Sequence, residues 1–264
     1  MKIALGIEYD GLPWCGWQSQ PSGCGIQDQL ERALAAVAGE AVRTHAAGRT
    51  DAGVHALLQV VHFDTTVQRP LSAWVRGVNA FLPPSVRVRW SCEVHEEFHA
   101  RFSARGRSYQ YWLINAPVAP AILHGKAGWY HRPLDVERMA EAAAYLVGEH
   151  DFSTFRAAEC QAKSPVKQLY QAGVERVGGS VLFRFHAGAF LHHQVRNMVG
   201  ALIYVGNGTH APDWMGELLE QRNRTLAPPT FAPDGLYLSG VDYDPAWGLP
   251  ERGRSLEVCA FPAG

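Results

Sequence analysis

Arg49 and Asp51 stand two positions apart in the stretch AAGRTDAGVHA, residues 46–56, on a predicted loop between Gly48 and Gly53 that has almost no bulky side chain to bury. A guanidinium so placed can approach the carboxylate and hold it ionised and oriented. The glycines let a substrate backbone come close. A carboxylate kept ionised without a metal can act as a nucleophile or a general base. Glycosidases usually add a second carboxyl to protonate the leaving group, but no acidic residue lies within ten positions of Asp51 on either side. A partner carboxyl would have to come from elsewhere in the fold. The plainer alternative is a turn aspartate whose carboxylate bonds nearby backbone N–H groups.

Other side chains suggest other chemistries. His45, His55, His62, His192 and His193 raise the question of a metal, but no H-x-x-x-H or H-x-x-E-H spacing relates them. His192 and His193, adjacent on a predicted helix, would point about 100° apart, so no metal site is expected. Arg196 falls on the flank of that helix, one turn after His192. There it can serve a surface salt bridge or reach a carboxylate or phosphate in a groove. In RGRSYQYWL, Tyr109 and Tyr111 share one strand face, with Arg101, Arg105 and Arg107 just upstream. Aromatics beside arginines suit base stacking combined with phosphate contact, although a tyrosine in an alternating strand is also an ordinary core residue.

These residues need elements to position them. KIALGIEYD alternates Ile3, Leu5, Ile7 and Tyr9 as a half-buried strand. IQDQLERALAAVAG repeats its apolar residues at helical spacing and stops at Gly39. A short strand at 42–47, the Asp51 loop, the strand LLQVVHFD, the helix LSAWVRGVNAFL and the strand VRVRWSCEV complete a β-α-β-β-α-β order, the ferredoxin-like arrangement. The order recurs after the basic connector HARFSARGR: a strand SYQYWLIN, a helix DVERMAEAAAYLVG capped by Asp135 and stopped by Gly148, strands QLYQAGVERV and VLFRFHAG joined across Gly178 and Gly179, a helix FLHHQVRNMVGALIYVG, a further helix PDWMGELLEQRN and a strand GLYLSGVDYD. The predicted class is α+β, with two ferredoxin-like halves at 1–104 and 105–264 carrying antiparallel sheets. In the first half a long loop joins the two middle strands where the second half uses a bare Gly-Gly turn. Structure alone did not require the longer connection, and loops on rigid scaffolds are where function tends to sit.

Composition sets the bounds. The chain of 264 residues is 47% hydrophobic and 19% charged, with a net charge of -1. Residues 43–107 carry nine basic groups, all Arg, against five acidic ones, so a local polyanion site is compatible with a near-neutral whole. No run of about 18 apolar residues marks a membrane span, and the expectation is a cytoplasmic protein. Cys15, Cys24, Cys92, Cys160 and Cys259 form no C-x-x-C pair, and all five are expected to be reduced thiols.

Taken together, KIALGIEYDG, GWQ, AGRTDAGVHA, QVVHFDT, FHARFSARGRSYQY, HDFSTFRA, FLHHQVRNMVGALIYVG and GLYLSGVDY resemble the tRNA pseudouridine synthase A family over nearly the whole chain. The resemblance implies the pseudouridine synthase fold, in which the sheets form a central cleft. It implies isomerisation of uridine to pseudouridine at positions 38, 39 and 40 of the tRNA anticodon stem-loop, with no cofactor and no metal. It also implies a homodimer acting on tRNA, with no membrane partner. Matched by position, Asp51 is similar to the family's catalytic aspartate and Arg49 and Arg196 to its ionic neighbours. Tyr109 is similar to the tyrosine that packs on the target base and Leu236 to an apolar wall, while Gln18, Arg101, Arg105 and Arg107 fall among the expected RNA contacts. Two departures are visible: Gln194 stands for the usual Met of H-M-V-R-N, and Trp14 with Cys15 replaces a tyrosine-rich pair.

Overall fold

A computed structural model describes residues 1–256. In chain order the elements are β1 (Lys2–Tyr9), α1 (Ile26–Ala38), β2 (His45–Ala46), β3 (His55–Asp64), a π-helical turn (Ala73–Gly77) running into α2 (Val78–Phe81), β4 (Val86–Val94), β5 (Ala104–Asn115), β6 (Gly128–Tyr130), α3 (Val136–Ala144), β7 (Gly148–Asp151), β8 (Val166–Val177), β9 (Ser180–Ala187), α4 (Gln194–Gly206), α5 (Trp214–Gln221) and β10 (Leu236–Tyr243). The chain divides into two compact units. The first holds Met1–Gly106 and Tyr237–Ser255, and the second holds Arg107–Leu236 and resumes at Leu256. The chain leaves the first unit after Gly106 and returns to it with β10.

In the first unit β1 lies between β3 and β4, antiparallel to both. β2 pairs antiparallel with β3, His45 opposite His62 and Ala46 opposite Val61. The resulting β4-β1-β3-β2 order is that of the ferredoxin-like unit. β10 adds a parallel neighbour to β3, with Tyr237 opposite His55 and Leu238 opposite Ala56. β1 is not half-buried as its alternation suggested. Ile3, Leu5 and Ile7 are buried, and so is Ala4, which joins Leu58, Val60, Phe98, Val241 and Tyr243 in a second apolar cluster. Residues 95–104 and β10 supply that cover, so both faces exclude water. Gly6 belongs to the same packing, since a Cβ there would fall 2.2 Å from the Trp90 ring. α1 starts with the Asp28 carboxylate accepting from the Gly25 N–H at 2.9 Å and stops at Gly39 in the left-handed region.

The second unit repeats the strand order as β5-β9-β8, antiparallel throughout, with β7 beyond β8 and β6 parallel to β5. Asp135 caps α3 as expected, its Oδ1 accepting from the Arg138 N–H at 3.1 Å. Gly148 is not the helix stop. α3 ends at Ala144, and Gly148, with φ of 122°, opens β7. Gly178, with φ of 57°, makes the tight β8–β9 turn.

Two further local expectations fail. Cys15 and Cys24 are paired as a disulfide, with Cα atoms 5.5 Å apart. Spacing alone did not reveal that the chain folds back here, where the Cys15 N–H donates to the Cys24 carbonyl at 3.1 Å. Cys92 and Cys160 are free, and Cys259 lies outside the described residues. His192 and His193 also precede α4 instead of riding on it: His193 has φ of 62°, and the two rings stand 4.0 Å apart between centroids. The helical 100° argument therefore does not apply to them.

Candidate active site

The connection between β2 and β3 is held from inside at Ala47, Gly48 and Thr50. The Ala47 N–H donates to the Val60 carbonyl at 2.8 Å. Gln59, wholly buried on β3, donates its side-chain amide to the Gly48 carbonyl at 2.6 Å. Thr50 is buried. Its carbonyl accepts from the Trp17 N–H at 3.0 Å, and its hydroxyl is hydrogen-bonded to the Tyr9 phenol at 2.8 Å. The Val54 N–H then closes onto the Asp51 carbonyl at 3.1 Å, with Gly53 in the left-handed region at φ of 79°. In an extended segment, side chains alternate between opposite sides. Thr50 is turned inward, while Arg49 is exposed and Asp51 is partly exposed.

Two glycines of the DGLPWCGW segment form the floor under this loop. A Cβ on Gly16, whose φ is 97°, would fall 2.8 Å from the Thr50 carbonyl oxygen and 3.1 Å from the Ala52 nitrogen. A Cβ on Gly11 would fall 2.0 Å from the Val54 carbonyl oxygen. Next to the loop, buried His55 accepts from the Gly11 N–H at 3.0 Å and stacks on Tyr237 at 4.6 Å. Burial, reinforced by the charge of Asp10, pushes the Tyr237 phenol up, so it stays protonated at neutral pH. Gln18 is exposed and donates to Gln27 at 3.2 Å.

The second unit sets its candidates on β5 and α4. Tyr109 is partly exposed, opposite Phe185 in the β5–β9 register, with its ring edge-on to Phe190 at 5.1 Å. Tyr111, two residues on, is a core residue whose hydroxyl donates to the Ala232 carbonyl at 3.0 Å. The shared strand face therefore carries one buried tyrosine and one partly exposed tyrosine. Arg196 stands in the first turn of α4, its Nε donating to the Phe231 carbonyl at 2.8 Å. The neighbouring Asn197 is wholly buried and fixes that turn, donating to the Phe155 carbonyl at 2.8 Å and accepting from Thr230 and Arg224. Gln194 is also buried and accepts from the Leu191 N–H at 2.8 Å. This gives the departure from methionine a structural role in starting the helix. Leu236 is buried at the head of β10, its N–H on the Pro233 carbonyl at 2.8 Å. Arg107 donates to the Gly188 carbonyl at 2.9 Å. Arg105 is paired with Asp244, and exposed Arg101 lies over the Phe102 ring at 5.7 Å.

The zinc-protease spacing H-E-x-x-H occurs in the chain at His95–His99, which corrects the expectation that no such spacing is present. It lies on a turn, closed by the Phe98 N–H on the His95 carbonyl at 2.9 Å, so the two rings do not share the helical face that metal binding would require. His99 instead packs edge-on against buried His62 at 4.6 Å. Burial, with the charges of His99, Lys2 and His45 adding to it, lowers the His62 pKa to about 4.

A family model described as tRNA pseudouridine synthase matches residues 7–103 and 142–244. The chain belongs to that family. It is 64% identical over 258 residues to the tRNA pseudouridine synthase A of Methylobacillus flagellatus, covering 98% of this chain and 99% of the relative. It is 60% identical to that of a Janthinobacterium species, over 98% of this chain and 97% of the relative, and 62% identical to that of Chromobacterium violaceum, over 96% and 97%. A likeness to a chain in the crystal structure of a Cbf5-Nop10-Gar1 complex is distant, with a TM-score of 0.33 and 14% identity over 76% of this chain and 45% of that one.

Proposed function

We propose that the chain isomerises uridine to pseudouridine at positions 38, 39 and 40 of the tRNA anticodon stem-loop, with Asp51 as its catalytic group and no cofactor. Membership of the family supports the reaction class. The observation that carries the assignment to Asp51 is a partly exposed aspartate, two residues after an exposed arginine, on a loop whose backbone is anchored from inside at Gly48 and Thr50.

A uridine in a stem must first leave its stack, at a cost of about a few kcal/mol. Tyr109 packs on the extruded base and Leu236 walls it. Arg101, Arg107 and Gln18 contact the RNA, and Arg105 exchanges Asp244 for phosphate. Arg49 and Arg196 serve as the cationic groups of the reaction. Asp51 then either attacks ribose C1′ or removes a ribose proton, and the bond from C1′ to N1 breaks. The freed uracil turns in place and C5 bonds to C1′, displacing the Asp51 carboxylate on the first route or with the ribose proton returned from Asp51 on the second; C5 gives up its proton and N1 gains one. Water must be kept out, because the leaving group is also the incoming one. The enzyme works as a cytoplasmic homodimer without a membrane partner. In the same direction, no helix among the described residues is long and apolar enough to cross a membrane.

The test is incubation with an unmodified tRNA transcript followed by digestion to nucleosides. Pseudouridine is expected, and it should vanish when uridines 38–40 are replaced by cytidine. Salt-sensitive tRNA binding with no pseudouridine would identify a non-catalytic RNA-binding protein instead.

A further inference from the structure

We infer that Tyr9 and Thr50 are positioning residues, a buried hydroxyl pair that sets the direction in which Asp51 faces. The inference rests on the reading of Asp51 as the catalytic carboxylate and extends it to two residues that do not touch the substrate.

A threonine in a polar turn ordinarily bonds its hydroxyl to the neighbouring backbone. Thr50 does otherwise. Its hydroxyl reaches Tyr9, 41 positions away in the chain and the last residue of β1, at 2.8 Å. Both residues are buried, at 7% and 3% exposure, so either hydroxyl would lose more than one hydrogen bond's worth of stabilisation if left alone. β1 is an inner strand of its sheet, paired on both sides, and the Tyr9 ring rests against Trp17 at 5.8 Å. The phenol oxygen is thus fixed to a rigid element. Trp17 also holds the Thr50 carbonyl through its N–H. Thr50 is consequently gripped at side chain and main chain, and the next residue is Asp51. A change in the Thr50 side-chain bond turns the peptide that carries the carboxylate. The Gly16 floor keeps the loop from sinking to compensate.

The experiment compares Tyr9→Phe, Thr50→Val, the double variant and Thr50→Ser in the intact chain, reading single-turnover rate, tRNA affinity and unfolding temperature, with Asp51→Asn in parallel. Tyr9→Phe and Thr50→Val should each slow turnover by about 10- to 100-fold while tRNA affinity stays within about twofold, because position and not binding is lost. The double variant should be no slower than the worse single one, and Thr50→Ser, which keeps the hydroxyl, should stay close to the parent rate. Unchanged turnover in Tyr9→Phe, two effects that multiply, or a Thr50→Ser as slow as Thr50→Val would overturn the inference. If Thr50→Val does not fold, Tyr9→Phe decides, since it removes one oxygen and keeps the ring. An active Asp51→Asn would remove the underlying assignment and the inference with it. An inactive Asp51→Asn beside unaffected Tyr9→Phe would defeat the inference alone.

Discussion

The β2–β3 and β8–β9 connections occupy equivalent places in two units with the same strand order, yet they are built differently. β8 and β9 are joined by the Gly178-Gly179 turn, with Val177 paired to Ser180 across it. That turn asks for little beyond a left-handed glycine. The β2–β3 connection runs from Ala47 to Val54 and is fastened by Gln59, Tyr9 and Trp17, with Gly11 and Gly16 beneath it. A connection that served only to reverse the chain would need none of these. The difference shows where this fold spends buried polar groups: on holding still the loop that carries Arg49 and Asp51.

Substitutions on the two sides should separate sharply. Gly16→Ala adds a side chain at φ of 97° and 2.8 Å from the Thr50 carbonyl. It should shift the loop and lower turnover on the order of 100-fold, read by single-turnover kinetics beside a circular dichroism spectrum that shows a retained fold. A parent-like rate would mean that the floor is not needed. Cys24→Ser opens the Cys15–Cys24 closure around Gly16. It should cost roughly 2 kcal/mol of stability, seen as a lower denaturant midpoint that reductant no longer changes, whereas the parent's midpoint should fall with reductant. On the other side, Gly178→Ala places a Cβ at φ of 57° and should cost about 1 kcal/mol with turnover unchanged. A loss of turnover there would erase the contrast.

The smallest effect at neutral pH concerns the first unit's histidine cluster. His62 has a folded pKa of about 4 against an ordinary 6.5. Between those values the unfolded chain binds a proton that the folded one does not, so the stability present above 6.5 is lost as pH falls toward 4. Unfolding midpoints measured across that window should decline in the parent and decline less in His62→Gln. Identical slopes would show that another group is responsible.

Much of this was legible in local pattern. Periodicity, caps and turn residues placed the repeated β-α-β-β-α-β order, and the glycine-flanked Arg49 and Asp51 stood out because the second repeat has no counterpart. What stayed hidden depends on contacts between distant positions. Thr50 reads as one more polar turn residue until β1 brings Tyr9 beside it, and Gln59 reads as a polar residue of an alternating strand until its amide meets Gly48. The Cys15–Cys24 pair was missed because the reversal that joins them depends on the segment's packing against α1 and the loop. β10 ends beside β3 through a parallel pairing that no local signal encodes. Apolar periodicity runs through His192 and His193 and suggests a helix there, although the helix begins only at Gln194.

The most direct test of the central claim uses tRNA tritiated at C5 of its uridines, since forming the C5 glycosidic bond must release that hydrogen. With the parent chain in excess over tRNA, tritium should pass to solvent in step with pseudouridine formation. Asp51→Asn should bind the same tRNA with similar affinity and release none, whereas release from Asp51→Asn at a rate near the parent's would contradict the account.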